Sequence, residues 1–153
     1  MIIRNYQDSD FATVIRLWWD SWHSSSGYQH PKAITDWQRR WHQLLPTHKV
    51  VVVEQQSQLV AFAALDAQHC VLAQLFVAPN WKHQGIGTRL MQWVSLQCPQ
   101  GFTLRTAATN QESRVFYENL GLVEVGCDIN EFNGREEVQY ATHSSFTGWA
   151  HEQ

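Results

Sequence analysis

No window of this chain holds the roughly 18 consecutive apolar residues that a membrane helix needs. Its amino terminus, "MIIRNYQDSD", also lacks the long apolar core of a signal peptide. No membrane partner is expected, and the chain reads as cytoplasmic. Basic charge is scarce too, with 11 Lys and Arg against 14 Asp and Glu for a formal charge of −3. Arg39-Arg40 is the only basic doublet, so no nucleic-acid partner is expected, because a phosphate backbone needs a basic stripe. The three cysteines, Cys70, Cys98 and Cys127, are odd in number, far apart and in no C-x-x-C pair. That pattern points to small core fillers rather than a disulfide framework or a thiolate zinc site. The histidines form no H-E-x-x-H, and His23/His30 and His42/His48 miss the i, i+4 spacing of two ligands on one helix face. No metal is therefore expected.

What is present changes period along the chain. "MIIRNY" reads as a strand, and Asp8 stands where an N-cap belongs, ahead of Phe11, Val14, Ile15, Trp18 and Trp22 at helical spacing. Ser24 to Gly27 break that helix, Pro31 can open a second, and Ile34, Trp37, Trp41 and Leu44 carry it to Pro46. "KVVVVEQ" and "QLVAFAALD" read as a hairpin, and "VLAQLFVAP" as a further strand. A third helix follows up to Pro99, then the strand "FTLRTAA", a fourth helix from Asn110 with Gly121 as its C-cap, and two strands flanking Asn133-Gly134. The order is β-α-α-β-β-β-α-β-α-β-β, an α/β (α+β) fold on a mixed sheet of about seven strands in one domain. Residues 1–143 are assigned to that domain, and 144–153 to a carboxyl-terminal tail that Phe146 and Trp149 would dock.

The stretch "WKHQGIGTRL" places two glycines where a strand gives way to a helix. Such a turn offers unpaired amides and the positive end of a helix dipole at one point, which attracts phosphate. The dinucleotide fingerprint fails because Leu90 stands at its third glycine, and the P-loop fails because Thr88-Arg89 follow Gly87. Tight strand–helix packing is the bland alternative.

Taken together, "LFVAPNWKHQGIGTRLM" and "NQESRVFYENLGL" resemble the two signature segments of the Gcn5-related N-acetyltransferase superfamily. Lys82 replaces the usual Arg or Gln, and Leu122 the common Phe after Gly121. The "LWWDSWHSS" segment is most similar to small bacterial acetyltransferases of unassigned substrate. The resemblance implies an acetyl-CoA-dependent N-acetyltransferase in which a primary amine attacks directly within a ternary complex, without metal or acyl-enzyme. Two alternatives stay open: a noncatalytic acyl-CoA sensor on the same fold, or an acyltransferase for a longer chain.

Position by position, the resemblance implies that the Gln84, Gly85, Ile86, Gly87 and Thr88 amides hold the coenzyme A pyrophosphate, with Lys82 and His83 adding charge. Phe76 and Val77, at a splay or bulge, would pair with the pantetheine arm, and Asn110 and Ser113 would face it. Tyr117 would protonate the leaving thiolate, since a phenol near pKa 10 is protonated at neutral pH and close to a thiol's roughly 8.5. Adjacent Phe116 cannot share the core with it on one helix face. The early-strand carboxylate of many relatives is Val71 here, which leaves His69, and after it His23 or Glu54, as the candidate general base. Trp18, Trp19, Trp22, His23 and Tyr28 are assigned to the wall of the acceptor site. The acceptor is expected to be a small-molecule or peptide amine, and the protein a monomer or homodimer.

Overall fold

The computed structural model describes residues 1–25, 34–131 and 134–149, leaving aside the side chains of 21–25. Among them seven strands form one sheet, in the order β1-β2-β3-β4-β5-β7-β6. They are β1 (Ile2–Asn5), β2 (Lys49–Gln55), β3 (Gln58–Asp66), β4 (Val71–Val77), β5 (Thr103–Ala107), β6 (Val123–Ile129) and β7 (Glu136–Ala141). All neighbours are antiparallel except β4 and β5. The helices are α1 (Phe11–Ser25), α2 (Ile34–Leu44), α3 (Ile86–Gln97) and α4 (Gln111–Asn119). The expected element order is the one found.

Local chemistry explains most boundaries. The first helix begins later than expected, because Asp8–Asp10 form a 3-10 turn. Asp10 rather than Asp8 does the capping. Its carboxylate accepts the Gln7 N–H at 2.8 Å and pairs with Arg4 at 2.8 Å, and the hydrogen bonds from Arg4 hold its pKa below the usual carboxylate range. The β2–β3 hairpin turns through Gln56 and Ser57, both at positive φ without a glycine. Asn110 caps α4 by accepting the Ser113 N–H at 3.1 Å, and Gly121 follows it at φ +92°. That left-handed angle is the one a helix C-cap favours glycine for.

Two cores lie on opposite faces of the sheet. On one face Val53, Ala63, Leu72, Leu104, Val138 and Tyr140 pack against Leu90, Met91 and Val94 of α3 and Tyr117 of α4. On the other, Val52, Phe62 and Ala64 pack under Trp18, Trp37 and Trp41. The Trp18 and Trp37 rings meet edge to face at 4.5 Å. Alternation along each strand sends successive side chains to opposite faces, so both faces are filled from the same strands.

The cysteines correct the sequence reading. Cys70, at φ +53° in the turn before β4, and Cys98, the C-cap of α3, are joined by a disulfide across a Cα–Cα distance of 5.9 Å. Sequence separation hid a pairing that the β4–α3 packing brings together. Cys127 is free and exposed. In the tail, Phe146 and Trp149 pack edge to face on Phe102 at 6.0 and 5.8 Å.

Candidate functional site

The sheet opens where its one parallel pair fails. β4 pairs with β5 only at Val71–Thr103 and Leu72–Leu104. Beyond that the register with β3 passes from Leu65–Leu72 to Ala64–Gln74, so Ala73 is an extra residue in β4. A bulge bends and twists its strand. This one sits three residues before the expected Phe76-Val77 position, which itself pairs regularly with Phe62 and Ala61 of β3. The β4 edge facing β5 is thus left without a partner strand, and a cleft of about 1050 Å³ opens there.

The amino terminus of α3 closes one end of this cleft. Gly85 is its N-cap at φ +83°, with no side chain capping it. The Arg89 N–H bonds back to the Gly85 carbonyl at 3.0 Å, and the amides before it have no intrahelical acceptor. Gly85, Ile86, Gly87 and Thr88 all line the cleft, together with Phe76, Val77, Lys82 and His83. Lys82 is tied to Glu112 of α4 at 3.1 Å across the cleft mouth. The Gln84 side chain turns to the Asn80 carbonyl at 3.4 Å. The two glycines serve different ends. A Cβ on Gly85 would meet nothing but would strain the backbone, whereas one on Gly87 would lie 3.2 Å from Phe116 Cζ.

On the opposite wall, Asn110, Ser113, Phe116 and Tyr117 come from α4. Tyr117 is 7% exposed in the α3-side core, and burial pushes its phenol pKa up. Phe116 packs against the same core, with its ring 5.2 Å from that of Tyr117. The expectation that the two would part is therefore not met. They share the boundary between core and cleft, because the splayed sheet lets one helix face touch both.

Other expectations fail. His69 precedes β4 in an exposed turn, bonded to Asp66 Oδ2 at 2.8 Å, and lies outside the cleft lining. Period 2 cannot be carried back across a turn. Glu54 pairs with Arg4 at 3.3 Å, far along β2. Trp18 is 1% exposed in the core and Trp19 packs against that core, neither reaching the cleft. Two packed helices bury a wider stripe than a single helix face does. Tyr28 and the side chains of Trp22 and His23 lie outside the described residues.

The cleft also gathers residues that were not singled out for it: Arg40 from α2, Thr106 from β5, and Arg135, Glu137 and Gln139 in and before β7. Arg135 pairs with Glu137 at 3.4 Å, and Glu137 is 5% exposed. A carboxylate inside an otherwise half-apolar strand is the one signal the sequence offered for this group.

The chain resembles known proteins in sequence and in fold. Residues 46–124, just over half of the chain, match the family described as Acetyltransferase (GNAT) domain. Peptidyl-lysine N-acetyltransferase YiaC of Escherichia coli strain K12 is 28% identical over 134 residues, 82% of this chain and 86% of that protein. Among solved structures, apo YjaB from Escherichia coli superimposes with a TM-score of 0.76 at 19% identity, over 92% of this chain and 97% of that one. The spermidine N-acetyltransferase of Vibrio cholerae, in complex with CoA and spermine, does so at 0.71 and 18% identity, over 95% and 96%.

Proposed function

This chain belongs to the GNAT acetyltransferase family, N-acetyltransferases that draw on acetyl-CoA, and from that membership we propose that it acetylates a primary amine by direct attack, with donor and acceptor held together in the cleft. The observation that carries the proposal is the meeting, in one cleft, of a strand edge without a partner and a helix amino terminus without a cap. An elongated, amide-bearing donor that ends in a pyrophosphate suits both. Its amides can extend the sheet along Phe76 and Val77, and its phosphates can take the Gln84–Thr88 amides. Lys82, paired with Glu112, and His83 lie beside that end, and Asn110 and Ser113 line the facing wall.

Bound acetyl-CoA supplies the activated acetyl group. The chain's part is to orient it, exclude water and provide a proton. Tyr117 suits the last task, because its hydroxyl makes no hydrogen bond to any described residue and its burial keeps it protonated. The same dry surroundings favour a neutral thiol over a thiolate. No free cysteine among the described residues lines the cleft, which supports direct attack over an acyl-cysteine. The names of the relatives above refer to lysyl and spermidine amines, which supports an amine as acceptor.

Two measurements test this reading. Thiol release from acetyl-CoA across a broad amine panel should identify an acetylated product by mass. Intact mass of the protein after acetyl-CoA alone should stay unchanged, and an added acetyl group that passes on to amine would replace direct attack by a two-step route.

A further inference from the structure

We propose that Gln74 of β4 binds the acceptor, its side-chain carbonyl accepting a hydrogen bond from the attacking amine on the face of the sheet opposite α3. The inference rests on the acetyltransferase reading, since it places the acceptor in the same cleft. The first support is register. Directly opposed residues of an antiparallel pair share a face, and β3 sets Leu65 against Leu72 but Ala64 against Gln74. Leu65 and Leu72 belong to the core beneath α3, whereas Ala64 lies in the core beneath α1 and α2. Strict alternation from Leu72 would carry Gln74 back to the α3 side. The extra residue, Ala73, turns it to the other face, which is how a bulge re-aims a side chain. The same bulge lies where β4 and β5 part, so the irregularity beside the gap also delivers a polar group to it.

The second support is the state of that side chain. Gln74 is half-buried within "VLAQLFV", whose other members are all apolar, and it lines the cleft. Polar neighbours of the lining are engaged, Arg105 with Asp128 at 2.8 Å and Arg135 with Glu137 at 3.4 Å. The Gln74 amide makes no hydrogen bond to any described residue. Sheltering an amide without a protein partner costs free energy that an apolar residue would not. Direction of approach is the third support. The core beneath α3, with Tyr117 of α4, fills one side of the sheet, leaving the side that Gln74 faces for an amine to reach a donor laid along the gap. A neutral amine attacks through its lone pair, and its N–H groups then need an acceptor. Gln74 Oε1 is one, and as an amide oxygen it takes up no proton. Neutral amine and thioester thus become amide and thiol. The C–N bond forms, the C–S bond breaks, the sulfur takes the Tyr117 proton, and the proton shed by the nitrogen returns through water to the phenolate.

Two variants test this with an amine identified in the panel. Gln74→Met keeps the length and removes the hydrogen bond, whereas Gln74→Glu puts a base in its place. Thermal melts and coenzyme A affinity by calorimetry should match the parent in Gln74→Met. Its kcat/KM for the amine should fall about 2- to 13-fold, the range for a hydrogen bond between neutral groups. In the parent, the rising limb of kcat/KM against pH should follow the ionisation of the amine itself. In Gln74→Glu that limb should move to lower pH, because a carboxylate can take the proton of bound ammonium. Arg40 of α2, Arg105 of β5, Arg135 and Glu137 at β7 and Tyr117 of α4 also line the cleft. Both proteins share them, so the difference belongs to residue 74. A purely structural role would lower activity equally at every pH and lower the melting point or coenzyme A affinity with it. That result overturns the inference while the acetyltransferase reading stands, as does a parental kcat/KM in folded Gln74→Met or an unmoved limb in Gln74→Glu. Should Gln74→Met not fold, the limb of Gln74→Glu decides alone. If the parent acetylates no amine, the acetyltransferase reading falls and this inference with it.

Discussion

Tyr117 is where a single hydroxyl separates structure from chemistry. Its ring is part of the core, so Tyr117→Phe keeps the packing and should leave donor affinity by calorimetry unchanged. The rate of acetyl transfer should fall about 10² to 10⁴-fold, or roughly 3 to 5.5 kcal/mol of barrier. Single-turnover kinetics with an identified amine checks this, and a parental rate would remove Tyr117 as the acid. The raised pKa has a second consequence. Above about pH 10 the phenol ionises in the unfolded chain and stays protonated in the folded one. The folded state then binds more protons, and stability must decline as pH rises. Thermal midpoints between about pH 9.5 and 11.5 should fall less steeply in Tyr117→Phe than in the parent.

At the scale of elements, the start of α3 has to do two things with two glycines. Gly85 supplies a left-handed backbone angle with open space around it, and Gly87 makes room for Phe116 of α4. Their substitutions should therefore differ. Gly85→Ala strains the turn that aims the amides, so coenzyme A affinity should drop while α4 stays in place. Gly87→Val adds bulk at the α3–α4 contact, so it should lower thermal stability by about 1 to 3 kcal/mol as well as affinity. Calorimetry combined with thermal melts distinguishes the two. Unchanged coenzyme A affinity in both folded variants would show that the loop is only a packing turn.

At the scale of the whole molecule, the Cys70–Cys98 disulfide ties the turn before β4 to the end of α3. The closed segment contains the β4 edge and the glycine loop, where the proposed function seats the donor. Its 28-residue separation gives a cross-link worth about 3.5 kcal/mol in the chain-entropy account. Reduction, or Cys98→Ser, should lower the thermal midpoint by several degrees. Thiol titration of the denatured protein should find one free thiol, Cys127, before reduction and three after. Three before reduction would return the pair to separate core fillers.

The sequence by itself determined the element order, the capping of α4 by Asn110 and Gly121, the glycine turn at α3 and the family, because each rests on residues close together in the chain. Backbone angles, helix periods and caps are set over a few residues. The tertiary structure alone decided what depends on distant segments meeting. His69 left the cleft because a turn intervenes before β4. Trp18 entered the core because α2 packs over it. Cys70 met Cys98 because α3 returns along β4. Arg40 and Arg135 share a cavity because the sheet splits between β4 and β5, a gap that the Ala73 bulge opens and that no local pattern of apolar residues records.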